Sequence, residues 1–230
     1  MREALATDHA TLEVFATVDA TDQHVDLVEA AQRAEVAWHV VTDDVVVAIA
    51  DTVQPQGVLA RCTMLDRPLE AMLGREPSFV VVCADIRDPG NAGAVIRCAD
   101  AAGAEGVVFV GDSVDPYNPK SVRATVGSIF HVPIAVERDV ATALAAVQAA
   151  GLRVLAADGA GDVGLFDESL DLSAPTAWLM GNEAWGLPDE VRGLADAVVA
   201  VPIFGRAESL NLATAAAVCL YATARARLVR

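Results

Sequence analysis

At 230 residues the chain has room for one medium domain, or for one large and one small domain. Its 54% hydrophobic content excludes wholesale disorder, while its apolar runs are far shorter than a membrane span and no cleavable leader opens it, so a cytoplasmic location is expected. The formal charge of -16, with Lys120 the one lysine beside fifteen arginines, argues against non-specific nucleic-acid binding and asks whether some arginines gather on one face.

Residues 1 to 64 read as a small α/β unit. "LEVFATV", "AWHVV" and "GVLARCTM" suit strands, and "DLVEAAQRAE" suits a helix. "TDDVVVAIADT" is ambiguous: three valines favour a strand, whereas Thr42 and its aspartates favour a helix N-terminus. "LDRPLEAMLGREP", Leu65 to Pro77, breaks the pattern with two prolines and a glycine and is expected to link two domains.

From Ser78 to the end, strands and helices alternate. "FVVVCA", "GVVFV", "LRVLAA", "TAWLM" and "AVVAVPI" are short continuous apolar runs, the pattern of parallel strands covered on both faces. "NAGAVIRCADAAG", "NPKSVRATVGSI", "RDVATALAAVQAAG" and "SLNLATAAAVCLYATARAR" are helical, with Gly103 and Gly151 at C-terminal caps. The expected fold is α/β, a parallel-sheet domain preceded by a small α/β domain. Ligands in such sheets sit beyond the carboxyl ends of strands, which directs attention to the loops after Ala84, Met180 and Ile203.

Those loops carry unusual residues: "DPGNAGAVIR" holds Asn91, Gly93 and Arg97; "MGNEAWGLP" holds Gly181, Glu183 and Gly186; "VPIFGRAESLN" holds Gly205, Ser209 and Asn211. Each has an ordinary explanation: an N-cap asparagine and a solvated arginine, a tight turn, and a Ser209 cap on the last helix. Three at one sheet edge make a stronger signal. Neither the dinucleotide fingerprint nor a P-loop is present, and the second loop is acidic, so a cofactor without phosphates fits best. S-adenosylmethionine (AdoMet), with its adenosine, carboxylate and sulfonium, meets that description; a nicotinamide oxidoreductase is disfavoured. Lys120 and Arg123 extend a basic strip from Arg97 suited to phosphates, or form a solvated helix face. Trp185 stacks on a base or a cofactor, or packs its turn. The cysteines, Cys62, Cys83, Cys98 and Cys219, are scattered without metal-ligand spacing, and no disulfide framework or metal site is expected.

"DIRDPGNAGAVIRCADAAGAEGVVF", "PYNPKSVRATVGSIFHVPI", "LMGNEAWGLP" and "VPIFGRAESLNLATAAAVCLYA" resemble the successive motifs of the SpoU (TrmH-type) RNA ribose 2'-O-methyltransferases, in order over residues 78 to 226. The resemblance implies a SPOUT-type catalytic domain tied in a trefoil knot over residues 78 to 230, AdoMet as cofactor, and homodimerisation through the knotted domain. Residues 1 to 64 resemble, less sharply, an L30e-like RNA-binding domain whose usual first strand and basic segment are missing here. By the same resemblance Asn91, Arg97, Glu183, Ser209 and Asn211 are the catalytic positions, and backbone near Gly181, Val201, Ile203 and Leu210 holds the cofactor. Relatives often carry serine where this chain has Ala213. Ribosomal RNA is the expected substrate and transfer RNA the alternative; a non-catalytic RNA-binding factor of the same fold is the other class.

Overall fold

The computed structural model describes residues 1–50, 52 and 54–228. It divides into two units, Met1–Leu65 and Asp66–Arg230. The first runs α1 (Arg2–Ala6), β1 (Thr11–Ala16), α2 (Val18–Gln23), α3 (Val25–Arg33), β2 (Ala37–Val40), α4 (Asp43–Ile49) and β3 (Val58–Cys62). The central β1 pairs parallel with β2 and antiparallel with β3. Leu27 and Ala31, one turn apart on α3, bury against Leu5 and Val14, with Trp38 and Ala60 packed alongside. The ambiguous stretch after β2 is a helix. Asp43 and Asp44 occupy its first turn, where carboxylates face unpaired N–H groups, and of its three valines only Val46 is buried. Asp51, at the end of that stretch, lies outside the described residues.

The second unit opens with α5 (Leu69–Leu73), inside the stretch expected to be a linker. Leu69, Met72 and Leu73 form an i, i+3, i+4 stripe that joins the core, and this stripe outweighs the flanking prolines. Then follow β4 (Phe79–Ala84), α6 (Pro89–Ala102), β5 (Gly106–Val110), α7 (Pro119–Thr125), a 3₁₀ turn at Ser128–Phe130, β6 (Ile134–Glu137), α8 (Val140–Ala149), β7 (Arg153–Ala157), β8 (Val163–Gly164), β9 (Thr176–Met180), α9 (Asp189–Arg192), β10 (Ala197–Ala200) and α10 (Leu212–Leu228). The short strands β6 and β8 are additions to the expected set.

Seven strands form one parallel sheet in the order β6-β5-β4-β9-β7-β10-β8. Both faces are covered, as the continuous apolar runs require. Phe79, Val81 and Cys83 of β4 face a core shared with α6 and α10, whereas Val80, Val82 and Ala84 face one shared with α5 and α8.

The chain order produces a threading. β7 connects outward to β8, yet β10 is inserted later between those two strands. The chain on either side of this connection grips the inserted strand: Asp158 N–H, just after β7, donates to Val199 O at 3.1 Å, and Leu165 N–H, just after β8, to Ala200 O at 2.9 Å. A Cβ on Gly161 would stand 2.7 Å from Val198 O, so only glycine permits this approach. The passage is of the kind a trefoil knot requires.

Candidate active site

The loops after β4, β9 and β10 all leave the same carboxyl edge of the sheet. Asp88 caps α6 by accepting from Asn91 N–H at 2.8 Å, with Pro89 at the first helical position. The helix therefore starts ahead of Asn91, where the sequence pattern had opened it. At the other end of the chain α10 begins at Leu212, not at Ser209. Asn211 Oδ1 accepts from Ala213 N–H at 2.9 Å and from Thr214 N–H at 3.3 Å, so Asn211 rather than Ser209 caps this helix.

The β9–α9 loop is closed by paired backbone bonds between Asn182 and Gly186, 2.9 Å and 3.0 Å long. Gly186 closes the turn at φ +67°, and a Cβ on Gly181 would lie 2.6 Å from Gly186 backbone. Asn182 Nδ2 donates to Asp85 O at 2.6 Å and ties this loop to the one after β4.

Glu183 reaches across between those loops. Its carboxylate accepts from the N–H groups of Arg87 and Asp88, each at 3.1 Å, and from Asn91 Nδ2 at 3.1 Å. Asn91 Oδ1 in turn accepts from Asn211 Nδ2 at 3.0 Å. The result is one directed chain, from the α10 cap through two side-chain amides to a carboxylate. It fixes which way each amide points. Partial burial pushes the Glu183 carboxyl upward, but hydrogen bonds from the Asn91 side chain and from backbone N–H groups outweigh it and hold the group below 4.5.

Asn91, Glu183 and Asn211 are thus brought together, while Arg97 and Ser209 are not part of their hydrogen-bonded chain. Six residues of helix carry Arg97 about 9 Å along α6 from Asn91 and round to another face. Arg97 and Arg123 are exposed and make no side-chain hydrogen bond or ion pair among the described residues. Lys120 differs: its Nζ lies 3.4 Å from Asp88 Oδ2, so half of the expected basic pair is neutralised within the protein. The helices bearing these residues meet closely, since a Cβ on Gly93 would overlap the Ser121 carbonyl and lie 2.5 Å from Ala124 Cβ.

Val201, Ile203 and Leu210 line a cavity of about 400 Å³, together with Phe166, Phe204 and Val218. The lining is almost wholly apolar. Gly181 does not line it; it packs against the Gly186 backbone so closely that a Cβ would have no room. Phe166 and Asn182 escaped the sequence reading, Phe166 because "VGLFDESL" carries no motif, Asn182 because its neighbour Glu183 drew the attention. A second cavity, about 500 Å³, lies within the N-terminal unit beside Leu5 and Leu27. Two of its charged groups, Arg2 and Asp26, pair with each other at 2.8 Å. No group of three or more His, Cys, Asp or Glu side chains able to hold a metal occurs among the described residues, and no described helix is long and apolar enough to cross a membrane.

Comparison with known proteins bears on this edge directly. Residues 78–221 match the model of the SpoU rRNA Methylase family, and residues 1–68 match that of RNA 2'-O ribose methyltransferase substrate binding. The chain belongs to the SpoU rRNA methylase family. The 23S rRNA (uridine(2479)-2'-O)-methyltransferase of Streptomyces viridochromogenes is 38% identical over 76% of this chain, a match spanning 62% of that relative. The 23S rRNA (guanosine(2553)-2'-O)-methyltransferase RlmP of Bacillus subtilis is 33% identical over 80% of this chain and 71% of its own length. Among solved structures, the SpoU methyltransferase AviRb from Streptomyces viridochromogenes, in complex with AdoMet, superimposes with a TM-score of 0.83 at 31% identity, covering 100% of this chain and 88% of AviRb.

Proposed function

We propose that this SpoU family member is an AdoMet-dependent methyltransferase that modifies a ribose 2'-hydroxyl of ribosomal RNA in the cytoplasm. The observation that carries the reading is the directed chain Asn211–Asn91–Glu183, at the sheet edge from which the loop around the Val201–Leu210 cavity also departs. The cavity's apolar walls, with exposed Phe204 at the rim, suit an adenosine, and the absence of any phosphate-cradling spacing suits a cofactor lacking phosphates. Val201, Ile203 and Leu210 would hold it there. When bound, AdoMet supplies an electrophilic methyl group.

The residues of this chain do the remainder. A ribose hydroxyl is a weak nucleophile, so it must be held in line with the methyl and lose its proton as the bond forms. Asn91 keeps one N–H and one lone pair uncommitted, enough to accept from and donate to a ribose. Ser209, exposed in the loop before α10, is a further ribose contact. Glu183 orients Asn91 and takes no proton itself, because three donors already engage it. Arg97 presents the planar donor fork of a guanidinium. Its role is to grip the neighbouring phosphate and offset developing alkoxide charge, while the proton leaves to phosphate or water. Arg123 extends that grip along the RNA, and Lys120 joins once RNA competes with Asp88 for it.

Two copies form the working enzyme in this reading. α10 keeps Tyr221 exposed and Leu212, Ala217 and Val218 half-buried, more apolar surface than its own sheet uses. Calorimetry with AdoMet tests the reading against a non-catalytic factor of the same fold. Binding is expected, and it should persist in Arg97→Ala while methyl transfer to 23S rRNA is lost. Saturable NAD binding with no response to AdoMet would overturn the assignment.

A further inference from the structure

The chain has three tryptophans, and two are structural. Trp178 is fully buried, with its indole N–H donating to Thr223 Oγ1 at 2.8 Å, and Trp38 is half-buried, donating to Thr21 Oγ1 at 3.1 Å. Trp185 is 58% exposed, and its indole N–H has no partner among the described residues. Exposing more than half of so large an aromatic ring beside the candidate active site forgoes substantial apolar burial.

Its mounting is rigid. Asn182 and Gly186 close the loop on either side, and Asn182 Nδ2 is anchored to Asp85 O at 2.6 Å. Two residues before Trp185, Glu183 is fastened to Arg87, Asp88 and Asn91. The loop thus turns its anion onto the group proposed to hold the ribose and leaves its indole largely exposed. The surroundings also select the occupant. Glu183, whose carboxyl is held below its ordinary range by its hydrogen bonds, disfavours a phosphate at this loop, whereas a neutral nucleobase meets no such opposition. On a chain of net charge -16, stacking is a source of RNA affinity that requires no cations.

We propose that Trp185 is the stacking platform for a nucleobase of the RNA at the methylation site, a positioning and specificity residue for the reaction. This rests on the RNA methyltransferase reading above. It commits the indole to RNA rather than to the cofactor's adenine, because Trp185 is absent from the lining of the Val201–Leu210 cavity.

The test compares wild type with Trp185→Leu and Trp185→Phe, using an unmodified 23S rRNA transcript and AdoMet. Trp185→Leu keeps apolar bulk without an aromatic face and should raise KM for RNA by roughly 10- to 100-fold, whereas Trp185→Phe should recover most of that loss. AdoMet affinity by calorimetry should stay within about twofold, since the cavity is untouched. RNA should quench the indole fluorescence of wild type, and the quenching should vanish in both variants. Melting should change little, because more than half of the side chain is exposed. An unchanged KM with quenching retained in Trp185→Leu would overturn the proposal, as would a loss confined to AdoMet affinity. Fluorescence keeps it separable from the activity: wild-type quenching that disappears in Trp185→Leu, without any methyl transfer, supports the platform and overturns the enzymatic reading instead.

Discussion

Replacing Asn91 by aspartate changes one NH₂ into an oxygen and leaves the side chain's shape intact. Asn91 Nδ2 lies 3.1 Å from Glu183 Oε1, so the variant sets two carboxylate oxygens at that separation. Unit charges 3.1 Å apart repel by about 5 kcal/mol at an effective dielectric near 20 and by about 1.3 kcal/mol in bulk water. Both side chains retain solvent contact, which places the working value at ~1–3 kcal/mol. That is a roughly 5- to 150-fold loss in rate if the penalty falls on the aligned state. Asn211 still has an oxygen to donate to, so only the Glu183 contact is inverted. The pair relieves its repulsion by sharing a proton, and its apparent pKa rises. Asn91→Asp should therefore be slow near about pH 7.5 and recover part of its rate toward about pH 5.5, unlike Asn91→Ala. Initial rates of tritiated methyl transfer from AdoMet to 23S rRNA, measured across pH with AdoMet affinity as control, provide the assay. An Asn91→Asp rate within twofold of wild type and flat with pH would refute the role given to this hydrogen-bonded chain.

Glu183→Gln should change the acid limb of stability. The folded carboxyl lies below its ordinary 4.5, so its contribution is complete above that value and disappears as pH falls through the folded one; the variant's melting temperature should depend less on pH there, by scanning calorimetry. Gly93→Ala forces a methyl into the Ser121 carbonyl and Ala124, and should cost ~1–3 kcal/mol, about 3–10 °C in melting temperature, with AdoMet affinity preserved. Gly161→Ala pushes on Val198 and Ala200 of β10, the strand that feeds the Val201–Leu210 cavity, and here the melting temperature and AdoMet affinity should fall together. Arg97→Lys should recover little of the activity lost in Arg97→Ala, since an ammonium lacks the planar donor fork; wild-type turnover in Arg97→Lys would mean that charge alone matters.

What the sequence disclosed depended on whether the cause was local. The apolar runs from Phe79 to Ala84 and from Thr176 to Met180 announce buried parallel strands because each residue must be covered on one face or the other. Asn91, Glu183 and Asn211 stood out as polar residues in glycine-bearing loops, but their joining depends on β9 lying beside β4, a non-local pairing that no periodicity encodes. The same holds for the insertion of β10 between β7 and β8, visible only in the close approach to Gly161. Helix starts were displaced where a neighbouring residue caps better: Asp88 ahead of Asn91, and Asn211 in place of Ser209. The helical α4 and α5 reflect first-turn aspartates and a buried Leu69–Met72–Leu73 stripe outweighing valine content and flanking prolines. Lys120 looked like part of a cationic strip because its partner, Asp88, lies 32 residues away in sequence.

The most direct test of the central claim is the chemical position of a transferred methyl group. The protein is incubated with unmodified 23S rRNA and AdoMet labelled in its methyl group, and the RNA is digested to nucleosides and to alkali-resistant dinucleotides. The account predicts label in a single 2'-O-methylated nucleoside, flanked by a phosphodiester that resists alkali because its 2'-hydroxyl is blocked, and no label with the Asn91→Ala variant. Label on a base, or AdoMet binding with no label entering the RNA, would contradict it.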